Sequence, residues 1–108
     1  MPKYLFYGSY TPEGWKGLRA EGGSARVKAA QQALASAGGS VEAFYFSFGE
    51  HDFHIIVDLP DNVSTAAVTL AGNVSGAFDI HTVALLTPQE IDEAVRKSID
   101  FRPPGAKA

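Results

Sequence analysis

Apolar positions along the chain switch between a period of two and a period of three to four, and the switches mark the elements. KYLFYGSY, residues 3–10, is aromatic-rich and follows Pro2, which predicts a strand. Thr11-Pro12 supplies an N-cap and a proline at the first helical position, so a helix is predicted over about 12–20, carrying Trp15 and Leu18. Val27, Ala30, Leu34 and Ala37 then recur at helical spacing in a second segment, which Gly38-Gly39 closes. Gly22-Gly23 separates the two helical segments, with Ser24 placed to cap the second. VEAFYFSF (41–48) and FHIIVDL (53–59) flank GEHD, which predicts a hairpin. Val63, Ala66, Ala67, Leu70, Ala71 and Val74 form another helical stripe, ended by Gly76. AFDIHTVALL, residues 77–86, predicts a fourth strand. Thr87-Pro88-Gln89-Glu90 is a capping box opening a last helix through Ile91, Ala94, Val95 and Ile99.

Hairpin register decides which side chains share a face. A loop at Gly49–Asp52 sets Phe48 opposite Phe53, Phe46 opposite Ile55 and Phe44 opposite Val57, making one face wholly apolar. Tyr45, Ser47, His54, Ile56 and Asp58 then occupy the other face. A three-residue loop would leave neither face clean. In the fourth strand Phe78, Ile80, Thr82 and Ala84 share one side, with Asp79, His81 and Val83 on the other. The order β-α-β-β-α-β-α predicts an α+β fold of the ferredoxin-like, split βαβ kind with an extra C-terminal helix on a four-stranded antiparallel sheet. Residues 1–100 are expected to form a single domain and 101–108, FRPPGAKA, a loose tail. Two helices would cover one sheet face. The other, partly apolar, calls for a partner, and face-to-face pairing in a homo-oligomer, at least a dimer, is expected.

With 108 residues, 45% of them hydrophobic and 19% charged, the composition is that of an ordinary globular domain. The net charge of −3, with no basic cluster, argues against nucleic acid as a partner. No apolar run approaches the roughly 18–20 residues that span a bilayer, and MPKYLFYGSY has no signal-peptide pattern. A cytoplasmic location and no membrane partner are the expectation. The sequons Asn62-Val63-Ser64 and Asn73-Val74-Ser75 carry meaning only in a secretory context and are read as chance occurrences. Absence of cysteine removes disulfides, a thiol nucleophile and thiolate metal sites.

KYLFYGSYTPEG, EGGSAR, EAFYFSFGEHD and IIVDLPDN, in this order and spacing, resemble the GYD-domain family of small bacterial proteins. The resemblance extends from about Lys3 to Ala94. The family's Gly/Tyr/Asp signature falls on Gly49, His51 and Asp52, with histidine standing in place of tyrosine. The resemblance implies a relative of the dimeric α/β barrel proteins and brings no established activity.

Three groups of residues are candidates for chemistry. At AEGGSAR, a helix opening at Ser24 leaves backbone N–H groups outward beside the positive end of the helix dipole, a setting that favours phosphates and carboxylates. Gly22 and Gly23 remove side chains that would block approach, and Arg26 offers a two-pronged grip on an oxyanion. The competing reading is a kink that lets the helix follow a curved sheet, with Arg26 solvated. His54 and His81 share a sheet face with Asp58 and Asp79, but in no recognised ligand spacing, so no metal and no other cofactor is expected. His51 and Asp52 read as turn residues. Among the aromatic residues, Tyr10 closes the first strand beside the interrupted helix, where a phenol would stand at a pocket mouth.

The leading reading is a small oligomeric protein that binds a partly apolar, anionic molecule between sheet and helices. Gly22, Gly23, Ser24 and Arg26 would hold the anion, with Tyr10 and Tyr45 on the body of the ligand. A cofactor-independent monooxygenase or isomerase, with Tyr10 or His54 as the proton-transfer group, is the enzyme alternative by fold analogy. A structural or regulatory assembly subunit without a pocket is the third.

Overall fold

In the computed structural model, which describes residues 1–105, the chain forms a mixed α+β fold: one open four-stranded antiparallel sheet and four helices. Strand β1 (Lys3–Tyr10) alternates strictly, with Tyr4, Phe6, Gly8 and Tyr10 buried and the residues between them half-exposed. That alternation is what a strand covered on one face requires. β1 pairs with β3 (Phe53–Asp58) on one side and β4 (Phe78–Leu85) on the other. β2 (Ser40–Phe46) pairs with β3, so the order across the sheet is β2-β3-β1-β4.

Helices α1 (Pro12–Glu21), α2 (Gly23–Ser36) and α3 (Asn62–Val74) contribute Leu18, Leu34 and Val68 to the core on the Tyr4/Phe6 face. Val57 and Leu59 are fully buried there. The helix starts follow the capping rules: Thr11 accepts from the Gly14 N–H, and Asp61 accepts from the Ser64 N–H at 2.8 Å. That bond holds the Asp61 carboxyl below the usual carboxylate range. α2 ends in a Schellman turn, with Gly38 at φ 82° and the Gly39 N–H donated to the Leu34 carbonyl at 2.8 Å. The fourth helix, α4 (Pro88–Val95), starts with the full Thr87/Glu90 capping box but buries none of its residues.

Three details differ from the sequence reading. α4 stops at Val95, so Ile99 falls outside it. Ser24 does not cap α2: it is the second helical residue, and Gly22 is the N-cap, with no side-chain cap bond. Gly22 adopts φ 85°, ψ 167°, a conformation essentially reserved for glycine. It ends α1 by donating its N–H to the Leu18 carbonyl, and its own carbonyl accepts from the Arg26 N–H in α2. The hairpin register is also shifted by two residues. Phe46 faces Phe53 and Phe44 faces Ile55, while Phe48 pairs with nothing in the ladder and is 99% exposed. A hydrogen bond from the Ser47 N–H to the Asp52 carbonyl closes the loop earlier than expected. A shift of two preserves the period, so Phe44, Tyr45, Phe46 and His54 keep their predicted faces while Phe48 leaves the sheet.

The uncovered face carries Leu5 and Tyr7 of β1, His54 and Ile56 of β3, Tyr45 of β2, and His81 and Val83 of β4, matched across the ladders. Near one end of the sheet β2 bulges at Glu42, and Lys3 donates to both Glu42 (2.6 Å) and Asp58 (2.9 Å). Phe101–Gly105 contain no helix or strand, and residues 106–108 of the expected tail lie outside the described residues. No helix among the described residues is long and apolar enough to cross a membrane.

Candidate functional site

Alanine sets the shape of the site. α2 packs mainly on β2 and α3 on β4, at opposite sides of the sheet. Asn73 and Thr69 fix the second contact: Asn73 Oδ1 accepts from the Ile80 N–H at 2.7 Å, and the Thr69 and Thr82 hydroxyls lie 2.8 Å apart. The helix faces turned toward the space between carry Ala30 and Ala33 on α2, Ala37 at its C-cap, and Ala67, Ala71 and Gly72 on α3. Side chains that small do not bridge the gap. A cavity of about 600 Å³ remains, floored by Phe6, Phe44, Phe53, Phe78 and Ile80 of the sheet. Among the described residues lining it, Arg26 alone carries a charge.

The Arg26 side chain is 28% exposed and lies between an acid and a ring. Its guanidinium donates to Glu21 at 3.4 Å and stands 5.6 Å from the centre of the Phe78 ring. One face of the cation is therefore screened by an aromatic surface, and one edge is engaged by a carboxylate at an exposed position.

Tyr10 also lines the cavity and is 8% exposed. Its ring packs against Trp15, Phe53 and Phe78 at centroid distances of 5.1–5.4 Å. Burial pushes the phenol up to about 12, over the opposing pull of Arg26, with Glu21 and Asp52 adding to the rise. A phenol in that setting is protonated at neutral pH and able to donate a hydrogen bond.

Asp52 holds Tyr10 in place. Its carboxylate accepts from the Tyr10 N–H at 3.0 Å, and its own N–H is donated to the Gly8 carbonyl at 2.7 Å. Ser47 donates its hydroxyl to the His51 carbonyl at 2.7 Å, so the hairpin loop is stitched both to itself and to the end of β1. From the sequence Asp52 read as a turn residue. Its long-range role carries no local signal, because the partner lies 42 residues away.

The other candidates lie elsewhere. The would-be Cβ of Gly23 stands 3.2 Å from the Phe46 ring, and Gly22 has open space around it. Gly22, Gly23 and Ser24 are not among the residues lining the cavity, although they precede Arg26 within one helical turn. Tyr45 is 72% exposed on the opposite sheet face, paired with His54. On that face Tyr7 is flanked by His54 and His81, at 6.4 and 5.3 Å between ring centres, with His51 edge-on at 4.8 Å. His81 lies 3.5 Å from Asp79, and His54 Nδ1 lies 3.4 Å from the Ser47 hydroxyl. No cluster of three His, Asp or Glu side chains among the described residues is spaced to hold a metal ion.

A four-stranded antiparallel sheet, helices on one face and a GEHD hairpin locked onto β1 define a small α+β domain with an open groove. Residues 4–95 match the GYD domain, and the chain belongs to that family. No curated protein and no solved structure matches it.

Proposed function

We propose that the protein binds a small anionic molecule with an apolar body in the groove between α2, α3 and the sheet. The observation that carries this is an apolar cavity of about 600 Å³ with one guanidinium, that of Arg26, among its lining groups. The volume falls within the roughly 300–1,000 Å³ common for small-molecule sites. Its lining suits an aliphatic or aromatic carboxylate whose tail lies over Phe6, Phe44 and Phe53. Arg26 takes the carboxylate, Tyr10 offers its hydroxyl as a donor, and the uncapped N–H groups of Gly23 and Ser24 add positive potential nearby. Tyr45 belongs to the other face and takes no part.

The fold supporting this reading is ferredoxin-like, of the dimeric α/β barrel type. The strand order β2-β3-β1-β4 favours it, as does a second sheet face where Tyr45 and Val83 are exposed beside Leu5 and Ile56. Two copies pairing through that face leave the groove, on the opposite side, free for ligand.

A thermal-shift and calorimetric series with octanoate, benzoate, phenylacetate and phosphate tests the site. The carboxylates are expected to stabilise the wild type, phosphate much less, and Arg26→Ala to lose at least ten-fold in affinity with an unchanged far-UV spectrum. Glu21→Gln should tighten binding, because the competing carboxylate is gone. If no anion stabilises the wild type more than it stabilises Arg26→Ala, the site assignment fails.

A further inference from the structure

Helix α4 stands apart from the body of the molecule. It buries no residue, although Ile91 and Val95 lie four positions apart on one face, a spacing typical of packed helices. Leu86, Ile91, Val95, Ile99 and Phe101 are 46–76% exposed, making an apolar stripe that begins where β4 ends. The molecule measures 60 × 31 × 22 Å, and its radius of gyration is 17.5 Å. A compact chain of this length has a radius of about 13 Å. An eight-residue helix is also far shorter than the roughly 12–15 residues at which even favourable sequences become marginally helical alone. Its capping box improves the start of the helix but supplies no apolar contact. Something must cover the stripe.

We infer that α4 is an exchanged arm, whose Leu86–Phe101 stripe packs on a second copy of this chain. The exposed area points to a like partner. A monomeric protein of 11.5 kDa exposes about 5,800 Å². This chain exposes 7536 Å², an excess of about 1,700 Å² over that expectation. A standard interface removes only about 800 Å² from each partner. The excess is about twice what one standard interface takes from each partner, which leaves area for the arm beside a paired sheet face. The arm is rooted at Leu85, whose β1 partner is Lys3, so its stripe continues from the rim of the face that pairs. The inference rests on the paired-sheet reading for its partner and adds the contact that makes each subunit's last helix part of the other's structure.

Sedimentation velocity and hydrogen exchange on the full chain test this. Wild type is expected to be dimeric at 50 μM, with the amides of residues 91–95 protected there and freely exchanging after dilution to the monomer. The double variant Ile91→Glu/Val95→Glu should keep the same far-UV spectrum, since neither side chain is buried in the monomer. It should dimerise at least ten-fold more weakly and lose protection in α4. Tyr45→Glu reports separately on the sheet face. If Tyr45→Glu weakens the dimer and the α4 variant does not, the arm inference fails while the paired-sheet reading stands. If wild type is monomeric at 50 μM, both fail. Protection of α4 that persists in the monomer overturns the arm and assigns the stripe to its own chain. Protection gained only on phosphatidylglycerol vesicles overturns it in favour of a lipid surface.

Discussion

Tyr10 and Asp52 show how one residue can act far along the chain. The Tyr10 phenol is raised to about 12, chiefly by burial, whereas in the unfolded chain it ionises near its ordinary value of 10. Between those values the unfolded state releases a proton that the folded state retains, so stability falls as the pH rises from 10 to 12. Relative to Tyr10→Phe, wild type should lose on the order of 2 kcal/mol across that window, measured by urea denaturation at each pH. Asp52→Ala should cost about 1–3 kcal/mol by leaving the Tyr10 N–H unpaired, with Asp52→Asn recovering part of it. The place of Tyr10 at the end of the first strand was legible. The bond from Asp52 was not, because it exists only once the hairpin folds against β1.

At the scale of elements, the sequence was most readable where a local rule decides the outcome. Thr11 and Thr87 begin helices, and Gly38 ends one, for reasons confined to a few residues. The hairpin was readable in period and misread in register, since Phe44, Phe46 and Phe48 are interchangeable to a pattern of alternate apolar positions. The break between α1 and α2 is a backbone matter at Gly22. Nothing lies within 4 Å of its missing Cβ, yet its dihedral angles exclude other residues. Gly22→Ala should therefore destabilise by about 1–3 kcal/mol through backbone strain alone, read as a lower denaturation midpoint with an unchanged slope. Gly23→Val acts differently, by driving a branched side chain into the Phe46 ring, and should perturb aromatic near-UV signals as well as stability.

For the molecule as a whole, hydrophobic periodicity told which positions face inward but not how far apart the facing surfaces stand. Ala30, Ala67 and Ala71 belong to the predicted stripes, and they also line the unfilled space. An alanine that faces a core and one that faces a cavity look the same in a sequence. The separation of α2 from α3 comes from their anchorage on β2 and β4, which no local signal encodes.

The alanine-lined groove has a thermodynamic consequence. Phe44 and Phe78 present aromatic surface to a space that protein atoms leave open, so the empty chain sits short of the stability its own backbone allows. Ala30→Leu should fill part of that space and raise the melting temperature, with a gain of about 0.5–2 kcal/mol typical of cavity-filling changes. The same substitution should abolish stabilisation by octanoate, because leucine would occupy the volume the carboxylate's tail needs. Stability and occupancy then become interchangeable. On the proposed function, a cell that supplies the ligand would hold a robust protein, and one that lacks it a chain easier to unfold and degrade.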